Sequence, residues 1–236
     1  MKKSRRSRAP RGYVLHEDQK RVVIATLRSS NRKTGNMVQV WIMPRHTKPT
    51  DAIRNGAQAL VCGGCKLQRR RGGGCYVAPR QLNSIYRAYQ RGSYPYLADS
   101  DYPAVLRGRM VRLGAWGDPA FIPPPIVDLL VRHSRGHTGY THQWKHAFAA
   151  HLRGICMASA DSPAEAREAS AAGWGVFLVR PIGAPVVGIQ CPSVRGRQCV
   201  SCGLCDGRAV TVSVEAHGSE KRTLSQKLIQ IQGVAA

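Results

Sequence analysis

Residues 154–180 read GICMASADSPAEAREASAAGWGVFLVR. Gly154–Ser159 is short and apolar, as a buried strand should be. Ser162–Gly173 carries the marks of a helix: Ser162 at the N-cap, Pro163 at the first helical position, Glu165 two residues on, and Gly173 as the stop. Val176–Arg180 (VFLVR) is a second strand. Strand, helix and strand joined by such short links point to parallel neighbours connected by a crossover helix, the unit of an α/β fold.

The same reading extends in both directions. Arg21–Leu27, Met37–Met43, Ala59–Cys62, Arg109–Gly117, His137–Trp144, Val186–Gln190 and Arg208–Glu215 read as further strands. Pro49–Asn55 reads as a helix capped by Thr50 and closed by Gly56. Arg80–Arg91 places Leu82, Ile85, Tyr86 and Tyr89 at helical spacing, Pro123–Arg132 suits a helix, and Thr223–Gln230 suits a closing one. Strands outnumber convincing helices. The expected fold class is therefore α/β, a partial or irregular β/α barrel-like domain with a cysteine-rich C-terminal metal-binding segment. The expected division is a basic disordered arm at 1–20, an α/β domain at 21–190 carrying a cysteine loop at 62–75, and a segment at 191–236 with the remaining strand and helix. In such folds chemistry gathers where the strands end. Cys62, Asp118, His142, Asp161, Cys191 and His217 all fall at such ends.

The cysteines are the chemical signal. Residues 190–206, QCPSVRGRQCVSCGLCD, hold Cys191, Cys199, Cys202 and Cys205. Residues 62–76, CGGCKLQRRRGGGCY, hold Cys62, Cys65 and Cys75 on a glycine-rich loop. A thiolate every third residue on irregular backbone turns several sulfurs toward one centre, which is how iron–sulfur clusters and four-thiolate zinc sites are held. Arg69, Arg70 and Arg71 in the first loop are expected to lower thiolate pKa values. Three groupings compete: a three-cysteine cluster with an open iron plus a closed four-cysteine cluster; zinc sites that mix the groups, such as Cys62 and Cys65 with Cys202 and Cys205; or metal in one group alone. Cys156, inside an apolar run, reads as a core residue.

The net charge is +23, and Met1–Arg11 holds six basic residues and no acidic one, a minor share of it. The rest of the chain is thus basic in its own right, and a field of that sign attracts phosphate polymers. A nucleic-acid partner is expected. No apolar run approaches bilayer length and no secretory signal is present, so no membrane partner and a cytoplasmic location are expected, with thiols reduced. Tyr94 and Tyr96 suit local packing. His133, His137, His142, His146 and His151 crowd one region and read as solvated or phosphate-facing. No Ser-His-Asp order, P-loop or dinucleotide fingerprint occurs.

The segment from Asn31 through Cys75-Tyr76, then Gly114–Asp118, Tyr140-Thr141 and the closing CP…CxxCxxC, resembles a group of uncharacterised cysteine-rich phage and prophage proteins, and more distantly the radical S-adenosylmethionine (radical-SAM-like) enzymes. The usual loop of those enzymes is C-x3-C-x2-C, whereas this one is C-x2-C-x9-C. What carries over is the count of three cysteines, the aromatic neighbour Tyr76 and the strand-end location. The resemblance implies a 4Fe-4S cluster on Cys62, Cys65 and Cys75 with S-adenosylmethionine chelating the open iron. It also implies Asp118 and Tyr76 as cofactor contacts and an auxiliary cluster on Cys191, Cys199, Cys202 and Cys205. The implied activity is radical chemistry on a nucleic acid or nucleotide. The rival from another class is a non-catalytic zinc protein that binds nucleic acid.

Overall fold

The computed structural model describes residues 9–75, 77 and 79–233. Its strands are β1 (Gly12–Glu17), β2 (Arg21–Thr26), β3 (Val38–Pro44), β4 (Met110–Trp116), β5 (Gly136–Thr141), β6 (Met157–Ala160), β7 (Val176–Arg180), β8 (Ile189–Gln190) and β9 (Thr211–Glu215). Its helices are α1 (Pro49–Asn55), α2 (Ala59–Cys62), α3 (Pro79–Gln90), α4 (Tyr102–Leu106), α5 (Pro124–His133), α6 (Pro163–Ala171), α7 (Cys199–Cys202) and α8 (Lys221–Gln232).

The described strands form one sheet in the order β1-β2-β3-β4-β5-β6-β7-β9-β8. β1 pairs β2 and β2 pairs β3 antiparallel, and every other pairing, from β3 with β4 onward, is parallel. The outer strands β1 and β8 do not pair with each other, so the sheet is open. The protein is thus mixed α/β with a mostly parallel sheet. All residues of β3 and β7 are buried, as parallel strands covered on both faces require.

Local chemistry explains the elements that the sequence marks. Ser162 caps α6 by accepting from the Glu165 backbone N–H, and Glu165 reaches back to the Asp161 N–H at 2.9 Å. The small residues Ala166 and Ala169 then let α6 lie close on the sheet. α3 drives Leu82, Ile85 and Tyr86 into the main core. Cys156 is fully buried in the same core, as its apolar context indicates.

A second, smaller core joins Leu67 of the first cysteine loop, Phe177 and Val179 of β7, Val212 and Val214 of β9, Cys205, and Leu224 and Leu228 of α8. Residues two apart on a strand share a face. Phe177 with Val179 and Val212 with Val214 therefore mark the face on which α8 and both cysteine segments gather.

Three differences from the sequence reading have physical causes. Ala59–Cys62 is the helix α2 rather than a strand: four apolar residues carry no period, and Gln58 O accepts from the Val61 and Cys62 N–H groups to close a helical turn. Gly12–Glu17, inside the stretch 1–20 read as an arm, is strand β1. Asp18 makes its turn by accepting from the Lys20 and Arg21 N–H groups at 2.6 Å each. The strand expected over Val186–Gln190 shortens to β8, because Gly188 adopts a φ of 65° and a Cβ there would lie 2.3 Å from Thr211 O. Among the described residues no helix is long and apolar enough to cross a membrane.

Candidate functional site

The strand ends place the first cysteine group. α2 delivers Cys62, and the Asp118 N–H donates to Val61 O at 2.7 Å, tying the helix to the end of β4. The Gln143 amide, just past β5, donates to Cys62 O at 3.2 Å. Gln58 donates to the Cys62 sulfur at 3.6 Å. Gln68 is buried and donates to Gly63 O at 2.8 Å, which draws the loop into a compact turn. Gly74 lies against α8 so closely that a Cβ would stand 2.5 Å from Leu224 N.

The three thiols act on one another. Burial pushes the Cys62 thiol well above its ordinary value, and the Cys65 and Cys75 sulfurs push it further. Burial also raises Cys75, with Cys65 adding to it and Arg69 opposing. The arginine run therefore does less than its sequence suggests. Of its three members only Arg69 opposes the Cys75 shift, and it also pairs with Glu220 at 3.3 Å, while Arg70 donates to Asn55 O and Arg71 to Gly64 O.

Beside these sulfurs stand His142 and Asp161. The His142 Nε2 lies 3.5 Å from Asp161 Oδ1, and Asp161 is 2 % exposed. Neither atom has a hydrogen-bond partner, and Gln58 Oε1 is orphaned in the same way. Burial alone would lower the His142 pKa, but Cys65 and Asp161 outweigh it and hold the ring well above its usual value. His142 is thus neither solvated nor phosphate-facing, as the sequence had suggested, but enclosed between a sulfur and a carboxylate.

Asp118, expected as a cofactor contact, already has protein donors on both carboxylate oxygens. Its carboxylate is 6 % exposed and fully engaged: Oδ1 accepts from Ala120 N at 3.0 Å and Thr141 Oγ1 at 2.7 Å, and Oδ2 from His142 N at 2.8 Å. It clamps the ends of β4 and β5 together and so positions His142. Tyr76, the other expected contact, lies outside the described residues.

The second group is bolted to distant chain. The Cys199 and Val200 N–H groups donate to Lys33 O and Thr34 O at 3.0 Å each, and Gln198 Nε2 to Arg32 O at 3.0 Å. Gly139 N donates to Cys205 O at 3.1 Å, and the Arg135 guanidinium to Val200 O at 3.0 Å. Burial raises the Cys205 thiol to about 12; the Cys191, Cys199 and Cys202 sulfurs add to the shift while the Tyr140 hydroxyl opposes it. Burial raises Cys199 as well, against the pull of Arg112. For every thiol so shifted in either group, the sulfurs acting on it belong to its own group, which gives no support to zinc sites mixing the two. All eight cysteines are free thiols.

Beside the second group lies a pocket of about 260 Å³, with Cys191, Cys199 and Val77 in its lining. Gln39 and Trp41 of β3, Arg112 of β4, Thr138 and Tyr140 of β5 and Phe177 of β7 form its floor. Arg112, Lys33, Tyr140, Gln58 and Gln143 carry no motif, and sequence reading passed over their contacts; the cationic Arg112 inside an apolar strand was the one available signal.

Among the described residues no three His, Cys, Asp or Glu side chains are placed to hold a metal ion. Comparison with protein-family models, with curated proteins and with solved structures returned no match.

Proposed function

We propose that the chain is an iron–sulfur protein of the radical S-adenosylmethionine type, cytoplasmic, acting on a nucleotide or nucleic acid. The observation that carries this reading is the packing of two separate thiol groups on one face of a mostly parallel sheet, Cys62 tied to the chain leaving β4 and β5 and Cys199 to the chain entering β3. On this reading the open sheet is a partial β/α barrel, with its inner face closed by α8 and the C-terminal segment.

The residues at hand fit such a group in their chemistry. Cys62, Cys65 and Cys75 would hold a cluster with one iron open, and Cys191, Cys199, Cys202 and Cys205 a second, closed one. Such clusters supply single electrons, the open iron being where S-adenosylmethionine would be held. The buried Gln58 Oε1, which has no partner, leaves hydrogen-bonding capacity beside the first group. A buried polar atom without a partner costs about 1–3 kcal/mol, and a bound group would relieve that cost. Within each group the sulfurs act electrostatically on one another, which supports two separate ligand sets. The chain's own groups would hold charge and position: Lys33 and Arg112 offset negative sulfur, Asp118 orients the His142 backbone, and the apolar core around Cys205 excludes water.

Anaerobic purification tests this. The expected product is a brown protein with about four irons and four sulfides per cysteine group. A colourless protein with stoichiometric zinc would overturn the reading in favour of a zinc-stapled nucleic-acid binder. The net charge of +23 supports the nucleic-acid part. Its affinity for a single strand is expected to fall at least about tenfold between 50 and 200 mM salt, and a flat response would remove that part.

A further inference from the structure

The pocket beside the second cysteine group combines cationic and aromatic lining. Among the described residues no carboxylate lines it, whereas Lys33 and Arg112 do. Lys33 forms no ion pair with any described acidic residue, and the buried Arg112 Nε has no hydrogen-bond partner. Two cations in a recess without an acid create a local field that selects an anion.

The walls add a second requirement. Trp41 and Phe177 border the space, 3 % and 7 % exposed. The Trp41 indole N–H is already spent on Thr26 Oγ1 at 2.9 Å, so this ring offers the pocket an apolar surface and no donor. Such surfaces suit a flat ring. The volume, about 260 Å³, is slightly below the ~300–1,000 Å³ of drug-sized sites. It admits one ring system with one anionic group, and not a folded polymer.

The rim speaks to the source of that molecule. It is built by the loop between β2 and β3 and by residues 191–199, the two segments held together at Lys33 and Cys199. These segments also expose Arg28, Arg32, Arg195 and Arg197. A recess for one unit, edged by exposed guanidinium groups, matches a polynucleotide from which one base has left the stack.

We propose that this pocket binds a single nucleotide unit, its base against Trp41 and Phe177 and its phosphate at Lys33 and Arg112. The choice of a nucleotide rests on the function proposed above; the pocket and its charge do not depend on any metal. The unit has two sources with the same chemistry, a free mononucleotide or one residue of a single strand.

Titration calorimetry on the full chain tests it, with adenosine and cytidine monophosphates, unphosphorylated adenosine, and a short single strand as probes, and iron measured on every sample. Lys33→Gln, at an exposed position, and Arg112→Gln are each expected to weaken binding about tenfold or more, as loss of a charge-assisted hydrogen bond does. Mononucleotide binding with that loss supports the site with a free nucleotide. Binding of the strand alone, with the same loss, supports it with a polymer. Binding of neither probe, equal binding of adenosine and its monophosphate, or affinity unchanged in both variants overturns it. Lower iron in Lys33→Gln with nucleotide affinity intact also overturns it, since Lys33 then serves only as counter-charge to the cysteines. Nucleotide binding through Lys33 in an iron-free protein would instead sink the cluster reading and leave this one standing.

Discussion

The two cysteine groups share one face of the sheet but sit in opposite surroundings. The Cys62–Cys75 loop is enclosed by polar groups: Gln58, Gln143, the clamped Asp118 and the facing pair His142 and Asp161. The Cys191–Cys205 segment is laid on apolar surface, with Cys205 in the smaller core, and it faces Lys33, Arg112 and the pocket. The first group therefore has hydrogen-bonding capacity left over, and the second has positive charge left over. The difference matches the division of labour proposed above, in which the first group would hold an open centre and the second a closed one beside the pocket.

The comparison can be broken most forcefully at the sealed end. Replacing Cys202 and Cys205 together by Ser is expected to lower thermal stability by ~10 °C or more, because a bound metal site contributes folding free energy directly. An unchanged melting midpoint and metal content in the double variant would contradict the second ligand set. Asp118→Ala comes next. It strands the donors of Ala120, Thr141 and His142 and is expected to cost about 3 kcal/mol by denaturant unfolding. Loss below ~1 kcal/mol would show that the clamp at the first group is not structural.

Smaller changes sharpen the picture. Gly74→Ala sets a methyl 2.5 Å from Leu224 N and is expected to cost about 2 kcal/mol through overpacking of α8. Full stability there would mean that α8 does not press on the first loop. The least effect belongs to Asp206, beyond the second group. Its hydrogen bonds to Arg208, chiefly side chain to side chain, hold the carboxyl below its ordinary 3.8. A carboxylate with a lowered folded pKa contributes stability that is present above 3.8 and lost as pH falls through the folded value. Asp206→Asn is expected to remove a few tenths of a kcal/mol at neutral pH and nothing at pH ~2, measured by urea melts at both. An equal loss at both would assign the effect to something other than the charge.

Period and capping carried much of the fold in plain sight. The apolar runs of β2, β3, β4 and β7, the spacing in α3 and the Ser162–Glu165 start of α6 are local signals, and each forms the element it announces. β1 was hidden because its apolar run, Tyr13–Leu15, is only three residues long, and it draws its order from pairing with β2 and from Val14 N donating to Pro95 O at 2.9 Å. α2 was misread because four residues are too few to show a period.

The sequence by itself determined where the thiols and the charge are: seven cysteines in two dense groups, and a strongly basic chain around them. Only the tertiary structure decided what each group faces. Cys199 meets Lys33 across a separation that no local pattern spans, and Asp118 looks like a ligand until its three donors are seen to come from another strand end and its own turn. Thiol spacing is written in consecutive residues, whereas burial and counter-charge are supplied by segments far apart in the chain, and these exist only once the sheet has brought them together.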